Sequence, residues 1–315
     1  MKTLWPVGNF IQNNLVYSWD DEDWQEEFNY LKEVKMEYVI LQTTVHRTSE
    51  GKNITVYPTN LDGFRMNPKS NDIVETCLKN AQETGFKVFV GLNFDNKWWD
   101  YYTKDRDWFL ERMKEGNRVA KELYEKYYDK YSRSFHGWYW PWEVENLHFK
   151  LREEQENLAE GINKQLFFME KNNIRLPFML SPFMNYKVGD KKENKEIWER
   201  IFSLTDFKGE DIFAPQDCIG AGGLNLDIFI DWFQKLKIAV DTKSELKFWA
   251  NVENFTQEGK SAPVNRFIRQ LKGLSPYVEN FITFSYSHYY SPKSNDLSFH
   301  QKYFNYVNTD KRKKE

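Results

Sequence analysis

The chain has 315 residues, 29% of them charged and 40% hydrophobic, a balance typical of a soluble, folded protein and not of a disordered one. At this length a protein buries about 75% of its unfolded surface, so a single large core is possible. The formal net charge of -3 gives no electrostatic basis for binding nucleic acid or an anionic membrane surface.

Eight short segments rich in Val, Ile, Phe, Tyr or Trp, each bounded by turn or polar residues, predict β-strands. In chain order they are residues 7–12, 37–44, 87–94, 137–144, 176–184, 211–218, 246–255 and 281–289.

Seven amphipathic segments between the strands predict helices. They are residues 23–35, 71–84, 105–131, 153–172, 193–204, 226–240 and 264–274. The first opens with acidic residues, and the second stops just before Gly85, a residue typical of a helix C-terminus.

Alternation of eight strands with helices predicts an α/β protein, a single (β/α)8 TIM barrel over residues 1–315 with a disordered tail at 307–315. The basic run Lys311–Lys314 falls in that tail. The alternative is an open doubly wound sheet. It is disfavoured because no G-x-G-x-x-G or G-x-x-x-x-G-K-[ST] motif follows the first strand.

Two cysteines, Cys77 and Cys218, are too few for a disulfide framework or a cysteine zinc site, and their apolar surroundings predict buried thiols. No run of 18 apolar residues predicts a membrane span. Met1 leads almost directly into the first strand, so we expect a cytoplasmic protein, or an exported one if a leader has been removed. No motif predicts a cofactor or a metal site.

Polar or ionisable residues stand at the C-terminal ends of the predicted strands, where active sites of such barrels lie. They are Gln12, then Gln42 and His46, Asn93 and Asp95, Glu143, Asn185, Gln216 and Asp217, Asn251 and Glu253, and His288 and Tyr290. Polar ends on all eight strands favour a site of the size of a sugar.

Two glutamates are the candidate catalytic residues. Because side chains alternate along a strand, Glu143 shares a face with Tyr139, while Glu253 shares one with Asn251. If those faces point to the barrel axis, the two carboxylates converge, as glycoside hydrolysis requires of its acid and its nucleophile or base. The alternative for each is a structural salt bridge. We expect Glu145 to be a rim carboxylate.

Other residues are expected to bind substrate. Asp217 is interpreted as a hydrogen-bonding partner of substrate or of Glu253, and His288 either as a ligand for a substrate hydroxyl or as a core residue. The aromatic cluster at 98–102, with Trp98, and Trp142 on the fourth strand suit sugar stacking, although packing on the adjacent helix explains the cluster equally well. Residues 220–223 (GAGG) predict a tight, mobile turn near the site.

Three segments carry a family resemblance: 138–143 (WYWPWE), 214–217 (APQD) with Gly220, and 249–253 (WANVE). With Gln12, Trp24, 41–42 and 90–92 they resemble a bacterial barrel family labelled domain of unknown function 4434 and grouped with glycoside hydrolase barrels. The resemblance runs from about residue 8 to 292. It implies a (β/α)8 fold, with the acid/base on Glu143 and the nucleophile on Glu253. Where many such enzymes have Asn before the first glutamate, this chain has Trp142.

The sequence therefore predicts a hydrolase of carbohydrate metabolism, most simply a retaining glycosidase acting on an oligo- or polysaccharide or a glycoconjugate. Two alternatives stay open. One is a carbohydrate-binding barrel without turnover. The other is a metal-dependent sugar-processing enzyme using Asp95, Asp217, Glu253 and His288, although no tight ligand spacing supports it.

Overall fold

The computed structural model describes residues 4–309, and its secondary structure alternates between strands and helices. The strands are β1 (Gly8–Ile11), β2 (Tyr38–Leu41), β3 (Val45–Arg47), β4 (Asn53–Thr55), β5 (Phe64–Met66), β6 (Lys87–Gly91), β7 (Asn93–Asp95), β8 (Phe135–Trp140), β9 (Phe178–Leu180), β10 (Ile212–Phe213), β11 (Lys247–Glu253) and β12 (Asn280–Phe284). The helices are α1 (Asp21–Glu33), α2 (Ile73–Thr84), α3 (Trp98–Tyr101), α4 (Arg106–Tyr131), α5 (Arg152–Lys171), α6 (Lys191–Leu204), α7 (Phe229–Val240), α8 (Val264–Leu274), α9 (Tyr286–Tyr289) and α10 (Leu297–Thr309).

Eight parallel strands close into a barrel in the order β1, β2, β6, β8, β9, β10, β11 and β12, and β12 pairs with β1. These are the eight strands that the sequence predicts, and α1, α2 and α4 to α8 are the seven predicted helices. The predicted (β/α)8 fold is therefore confirmed, and the open doubly wound sheet is wrong.

The barrel interior is filled by alternate residues of each strand, so it is a packed core and not a pore. Phe10 meets Tyr139 edge to face with ring centroids 5.0 Å apart, and Tyr38 meets Trp249 at 5.6 Å. Phe89 and Ile282 belong to the same inner cluster. The residues between them along each strand face the helices. On β8, Tyr139 is one of the residues that point inward.

Helix boundaries follow local signals in the sequence. Asp20 accepts hydrogen bonds from the first-turn N–H groups of α1 and completes a capping box with Asp23. Asp72 caps α2, and Gly85 ends it in the left-handed conformation at φ 85°, a geometry that glycine adopts without a steric penalty. These caps fix where each helix leaves its strand and returns to the next one.

Several parts of the fold are absent from the sequence prediction. One is a four-stranded sheet in the order β5, β4, β3, β7, which rises beside the barrel mouth from the segments after β2 and β6. Its strands have three residues each, too few to show a period of two. The others are the short helices α3 and α9 and the C-terminal helix α10. Helix α9 also corrects the predicted last strand, which ends at Phe284 and not at residue 289.

The predicted tail needs correction. Residues 307–309 form the last turn of α10, and Val307 is buried in the core. The rest of the predicted tail, including Lys311–Lys314, lies outside the described residues.

Two further expectations concern the described part of the chain. Both Cys77 and Cys218 are buried free thiols, as expected. Between residues 4 and 309, every helix is too short or too polar to span a lipid bilayer.

Candidate active site

Glu143 follows β8 on the strand face that points into the barrel. The Nε2 group of Gln216 donates a hydrogen bond of 3.3 Å to its carboxylate and a second of 3.1 Å to the carbonyl of Ser181. Behind the strand, the indole N–H of Trp98 donates to the backbone carbonyl of Glu143 at 2.7 Å. Glu143 is thus held from both sides, through its carboxylate and through its backbone.

Burial raises the pKa of Glu143 to about 7, although the hydrogen bond from Gln216 acts in the opposite direction. Among residues 4–309, Glu143 forms no ion pair with a Lys, Arg or His side chain. A carboxyl group with this pKa carries its proton for about half the time at neutral pH. It can therefore act as a proton donor.

Glu253 ends β11 and is only 1% exposed. Its Oε2 accepts a hydrogen bond of 2.8 Å from the N–H of Ala221, and the N–H of Gly220 also donates to the carboxylate. Burial, and then the negative charge of Asp217, raise the pKa of Glu253 to about 8, against the effect of the two N–H donors. Burial is therefore the dominant effect on this group.

Asp217 lies behind Glu253 and is fully buried. Its Oδ1 accepts from the backbone N–H of Glu253 at 3.2 Å, and its Oδ2 accepts from Nε2 of Gln270 at 2.6 Å. Gln270 and Arg266 each donate to the carbonyl of Glu253 at 3.0 Å. Burial raises the pKa of Asp217 to about 6. Asp217 is therefore a partner of Glu253, one of the two interpretations of its role.

Asn251 precedes Glu253 by two residues on β11. It pairs with Gln216 in an isolated parallel bridge, and its Nδ2 donates to the hydroxyl of Ser181 at 3.1 Å. Its Oδ1 is buried and has no hydrogen-bond partner among the described residues. A chain of neighbouring groups thus runs from Glu143 through Gln216 and Asn251 to the strand that carries Glu253.

A cavity of about 500 Å³ opens beside Glu143, over β1, β2 and the small sheet. Its polar side is lined by Asn13, Asn14, Gln42, Thr43, Thr44 and Thr48. Its less polar side is lined by Tyr17, Ile54, Val56, Phe94, Trp99 and Pro141, and Glu143 and His46 complete the lining. The cavity thus contains Glu143 and Gln42 from the predicted site, whereas Glu253 lies outside its lining.

Of the ten predicted substrate-binding residues only Gln42 lines this cavity, and four of the other nine are held in contacts of the outer layer. Trp98 and Trp142 are buried among aromatic residues of the outer layer, with their rings 5.5 Å apart. Asn93 packs on α4 and donates to the carbonyl of Arg112 at 3.0 Å. Tyr290 is fully buried, and its hydroxyl donates to the carbonyl of Ala262 at 2.8 Å. In each case the side chain points away from the barrel axis.

His288 and Gln12 contact each other after the ends of the paired strands β12 and β1. The backbone N–H of Gln12 donates to Nε2 of His288 at 2.9 Å, and burial lowers the pKa of His288 to about 4. His288 is therefore a neutral hydrogen-bond acceptor for the backbone. The side chain of Gln12 follows Phe10 on the inward face of its strand and is partly buried.

Other expectations concern the rim. Glu145 accepts from the N–H groups of Leu147 and His148 and from the His148 ring, so it stabilises a turn. Residues 98–101 form a short helix, and only Trp99 of its two tryptophans, 41% exposed, reaches the cavity. Packing therefore accounts for Trp98, and sugar stacking remains available to Trp99.

The residues of the proposed metal site are not brought together. Asp95 accepts from the N–H of Lys97 and pairs with Arg47 and Arg112 at 3.5 and 3.6 Å, away from Glu253. Over residues 4–309, no three His, Cys, Asp or Glu side chains form a group that could hold a metal ion.

Asn13, Trp99 and Ser181 are site residues that the sequence did not single out individually. Ser181 follows β9 directly and Asn13 lies two residues after the end of β1, so their position near a strand end was an available signal. The choice between Trp98 and Trp99 depends on the direction of the short helix α3, which no pattern in four residues indicates.

Comparisons with known proteins place the chain among related folds. A family model described as "Domain of unknown function (DUF4434)" matches residues 7–296. None of the curated proteins compared with the chain matches it. A candidate alpha-L-fucosidase from Bacteroides thetaiotaomicron VPI-5482 is similar in structure, with a TM-score of 0.78, 20% identity, and 97% of this chain and 94% of that chain covered.

Two solved mannanases are also similar in structure. The endo-1,4-beta-D-mannanase from Thermotoga petrophila RKU-1 has a TM-score of 0.59 at 13% identity, with 96% of this chain and 99% of that chain covered. The endo-1,4-beta-mannanase from Rhizomucor miehei has a TM-score of 0.58 at 11% identity, with 97% and 95% covered. At these identities the likeness is one of fold, and that fold is shared with glycoside hydrolases.

Proposed function

The chain belongs to the family described as Domain of unknown function (DUF4434), and from its barrel and its site we propose that it is a glycoside hydrolase. The observation that carries the proposal is the pair of carboxyl groups at the C-terminal ends of β8 and β11. Both pKa values are raised, and neither group is paired with a described cation. A buried carboxyl without an ion pair is costly in a structural role and useful in a catalytic one.

In the proposed reaction Glu143 is the acid/base and Glu253 the nucleophile. Protonated Glu143 donates its proton to the glycosidic oxygen as that bond breaks, while ionised Glu253 attacks the anomeric carbon. Water then attacks the glycosyl ester, with Glu143 accepting its proton. The reaction is retaining, since two inversions occur at the same carbon.

The surroundings of the two groups support these roles unequally. The pKa of about 7 at Glu143 suits a group that gives and takes a proton near neutrality. At Glu253, the N–H groups of Gly220 and Ala221 favour the ionised form, whereas burial and Asp217 favour the neutral one. The nucleophile is therefore ionised in a minority of molecules at neutral pH.

A carbohydrate-binding barrel without turnover is the second candidate, and one observation favours it. Glu253 is nearly inaccessible beneath the turn at residues 219–223, and it does not line the cavity. The polar and aromatic groups of the cavity would bind a glycan equally well in a protein that does not cleave it. Turnover separates the two candidates.

The test is hydrolysis of a panel of aryl glycosides and oligosaccharides by the wild type, Glu143→Gln and Glu253→Gln. Glu258→Gln, an exposed carboxylate on the segment after β11, is the matched control. We expect turnover that falls by several orders of magnitude in the first two variants and is unchanged in the control. If all proteins are folded and none turns over any substrate while glycans bind, the second candidate replaces the first.

Stereochemistry provides an independent check of the retaining mechanism. Proton NMR of the first-formed product should show the anomeric configuration of the substrate. In a retaining enzyme the two catalytic carboxyl groups lie about 5–5.5 Å apart, and in an inverting enzyme they lie about 6.5–9.5 Å apart. An inverted product would assign Glu253 the role of a base that activates water.

A further inference from the structure

The cavity beside Glu143 has a polar side built from neutral groups. Asn13, 4% exposed, donates through Nδ2 to the carbonyl of Thr43, and this bond fixes the orientation of its side chain. The buried Oδ1 of Asn13 then has no partner within the described part of the chain. A buried amide oxygen without a partner is costly, and a ligand hydroxyl at this position would remove that cost.

Part of the cavity lining is apolar. Ile54, Val56 and Phe94 come from the small sheet and its ends, and the ring centroid of Phe94 is 6.2 Å from that of the exposed Trp99. A sugar ring has an apolar face of C–H groups and a rim of hydroxyls, so a lining that combines apolar side chains with amides and hydroxyls suits it.

The charges around the cavity are one-sided. Glu143 is the only carboxylate in the described lining, which contains no lysine or arginine, and the surrounding protein lowers the pKa of His46 below its ordinary value. Arg47, next to His46 in the sequence, is held by Asp95 at 3.5 Å and Glu115 at 3.1 Å. The described lining thus contains no fixed positive charge that would neutralise an anionic substituent.

Resting on the proposed function, we propose that this cavity is a subsite for uncharged sugar units, so that the substrate is a neutral glycan and not one bearing uronate, sialate or sulfate groups. The Oδ1 atom of Asn13 accepts a hydrogen bond from a hydroxyl of the sugar. Trp99 and Phe94 pack against the apolar face of the sugar. An anionic sugar would leave water for a cavity whose described lining holds no lysine or arginine to compensate its charge.

The test uses matched substrates that differ only at C6, where one has a hydroxymethyl group and the other a carboxylate. Aryl glucosides are compared with aryl glucuronides, aryl galactosides with galacturonides, and β-1,4-mannan with β-1,4-mannuronan oligomers, in low salt. We expect kcat/KM for the neutral member to be about 100-fold higher or more, because a carboxylate loses its hydration in a cavity whose described lining offers it no cation. Preferred turnover of the charged members would overturn the inference and leave the hydrolase intact.

A variant extends the test to the cavity itself. Thr48 lines the cavity in the turn between β3 and β4. Its side-chain hydroxyl accepts one hydrogen bond, from the backbone N–H of Lys52. Thr48→Arg supplies the missing cation, and Thr48→Gln is the matched neutral control. We expect the arginine variant alone to reduce the preference for neutral substrates by about tenfold. An equal change in both variants would contradict an electrostatic origin.

The outcome without turnover is also informative. If no member of any pair is hydrolysed, the proposed hydrolase fails, and calorimetric binding of the same oligomers to the wild-type protein decides the inference. Tighter binding of the neutral oligomer would support it, and equal or tighter binding of the charged oligomer would refute it.

Discussion

Replacing Asp217 by asparagine removes the negative charge that lies behind Glu253 while keeping the shape of the side chain. The amide oxygen can still accept from the backbone N–H of Glu253, which Asp217 binds at 3.2 Å. Because the charge of Asp217 raises the pKa of Glu253, the substitution lowers that pKa. Glu253 is then ionised at lower pH.

The size of the effect follows from the two pKa values, about 8 for Glu253 and about 7 for Glu143. The active form has Glu253 ionised and Glu143 protonated. At pH 7.5 each condition is met in about a quarter of the molecules, so about 6% are active. A fall of one unit in the pKa of Glu253 multiplies the active fraction about fivefold at pH 7, where Asp217 is still ionised, and leaves it nearly unchanged at pH 9. Near pH 6 the gain is reduced, because Asp217 itself is about half protonated there.

The assay is the pH profile of kcat/KM from pH 5 to 9.5 for the wild type and Asp217→Asn, with exposed Asp227→Asn as the control. We expect a gain confined to the acid side. The amide nitrogen will face the Nε2 donor of Gln270, which costs about 1–3 kcal/mol of stability, so circular dichroism must show a folded variant. An unshifted acid limb, or an equal loss at every pH, would refute the role given to this charge.

Two further substitutions test the support of the site and of the fold. Trp98→Phe keeps the aromatic packing and removes the 2.7 Å hydrogen bond to the Glu143 carbonyl, so we expect kcat to fall about tenfold with little change in KM in steady-state assays. Glu27, 1% exposed beneath α9, has a pKa raised by burial from 4.5 to about 7, so the folded state holds a proton that the unfolded state releases between these values. The contribution of protonated Glu27 to the free energy of unfolding is present below pH 4.5 and is lost as the pH rises to 7, by about 3 kcal/mol. Glu27→Gln should flatten this part of the pH dependence, as measured by chemical denaturation at each pH.

The barrel was predictable because its signals are local. Each strand is an apolar run, and each helix carries its own caps, such as Asp72 and Gly85 on α2. The alternation of β8 also predicted that Glu143 shares the inward face of Tyr139. The same alternation turns Trp142 toward the helices, so its assignment to substrate binding conflicted with the pattern that placed Glu143.

The surroundings of the site were not predictable because they depend on distant pairs. The bond from Trp98 to Glu143 joins residues 45 apart, and that between Gln12 and His288 joins residues 276 apart. No periodicity in either segment indicates such a partner. The small sheet that forms one wall of the cavity consists of three-residue strands, whose pairing is fixed only by the closed barrel beneath them.

The raised pKa of Glu253 is compatible with a nucleophile when its cost is compared with the gain from catalysis. Ionising a group with a pKa of about 8 at pH 7 costs one pKa unit, about 1.4 kcal/mol. Enzymes lower reaction barriers by about 8–23 kcal/mol, so this cost removes about one factor of ten from the rate. Access to Glu253 is the more demanding requirement, since the turn that carries Gly220 and Ala221 both donates to the carboxylate and covers it. Access of substrate to Glu253, and not the pKa of Glu253, is therefore the requirement that separates a hydrolase from a binding protein.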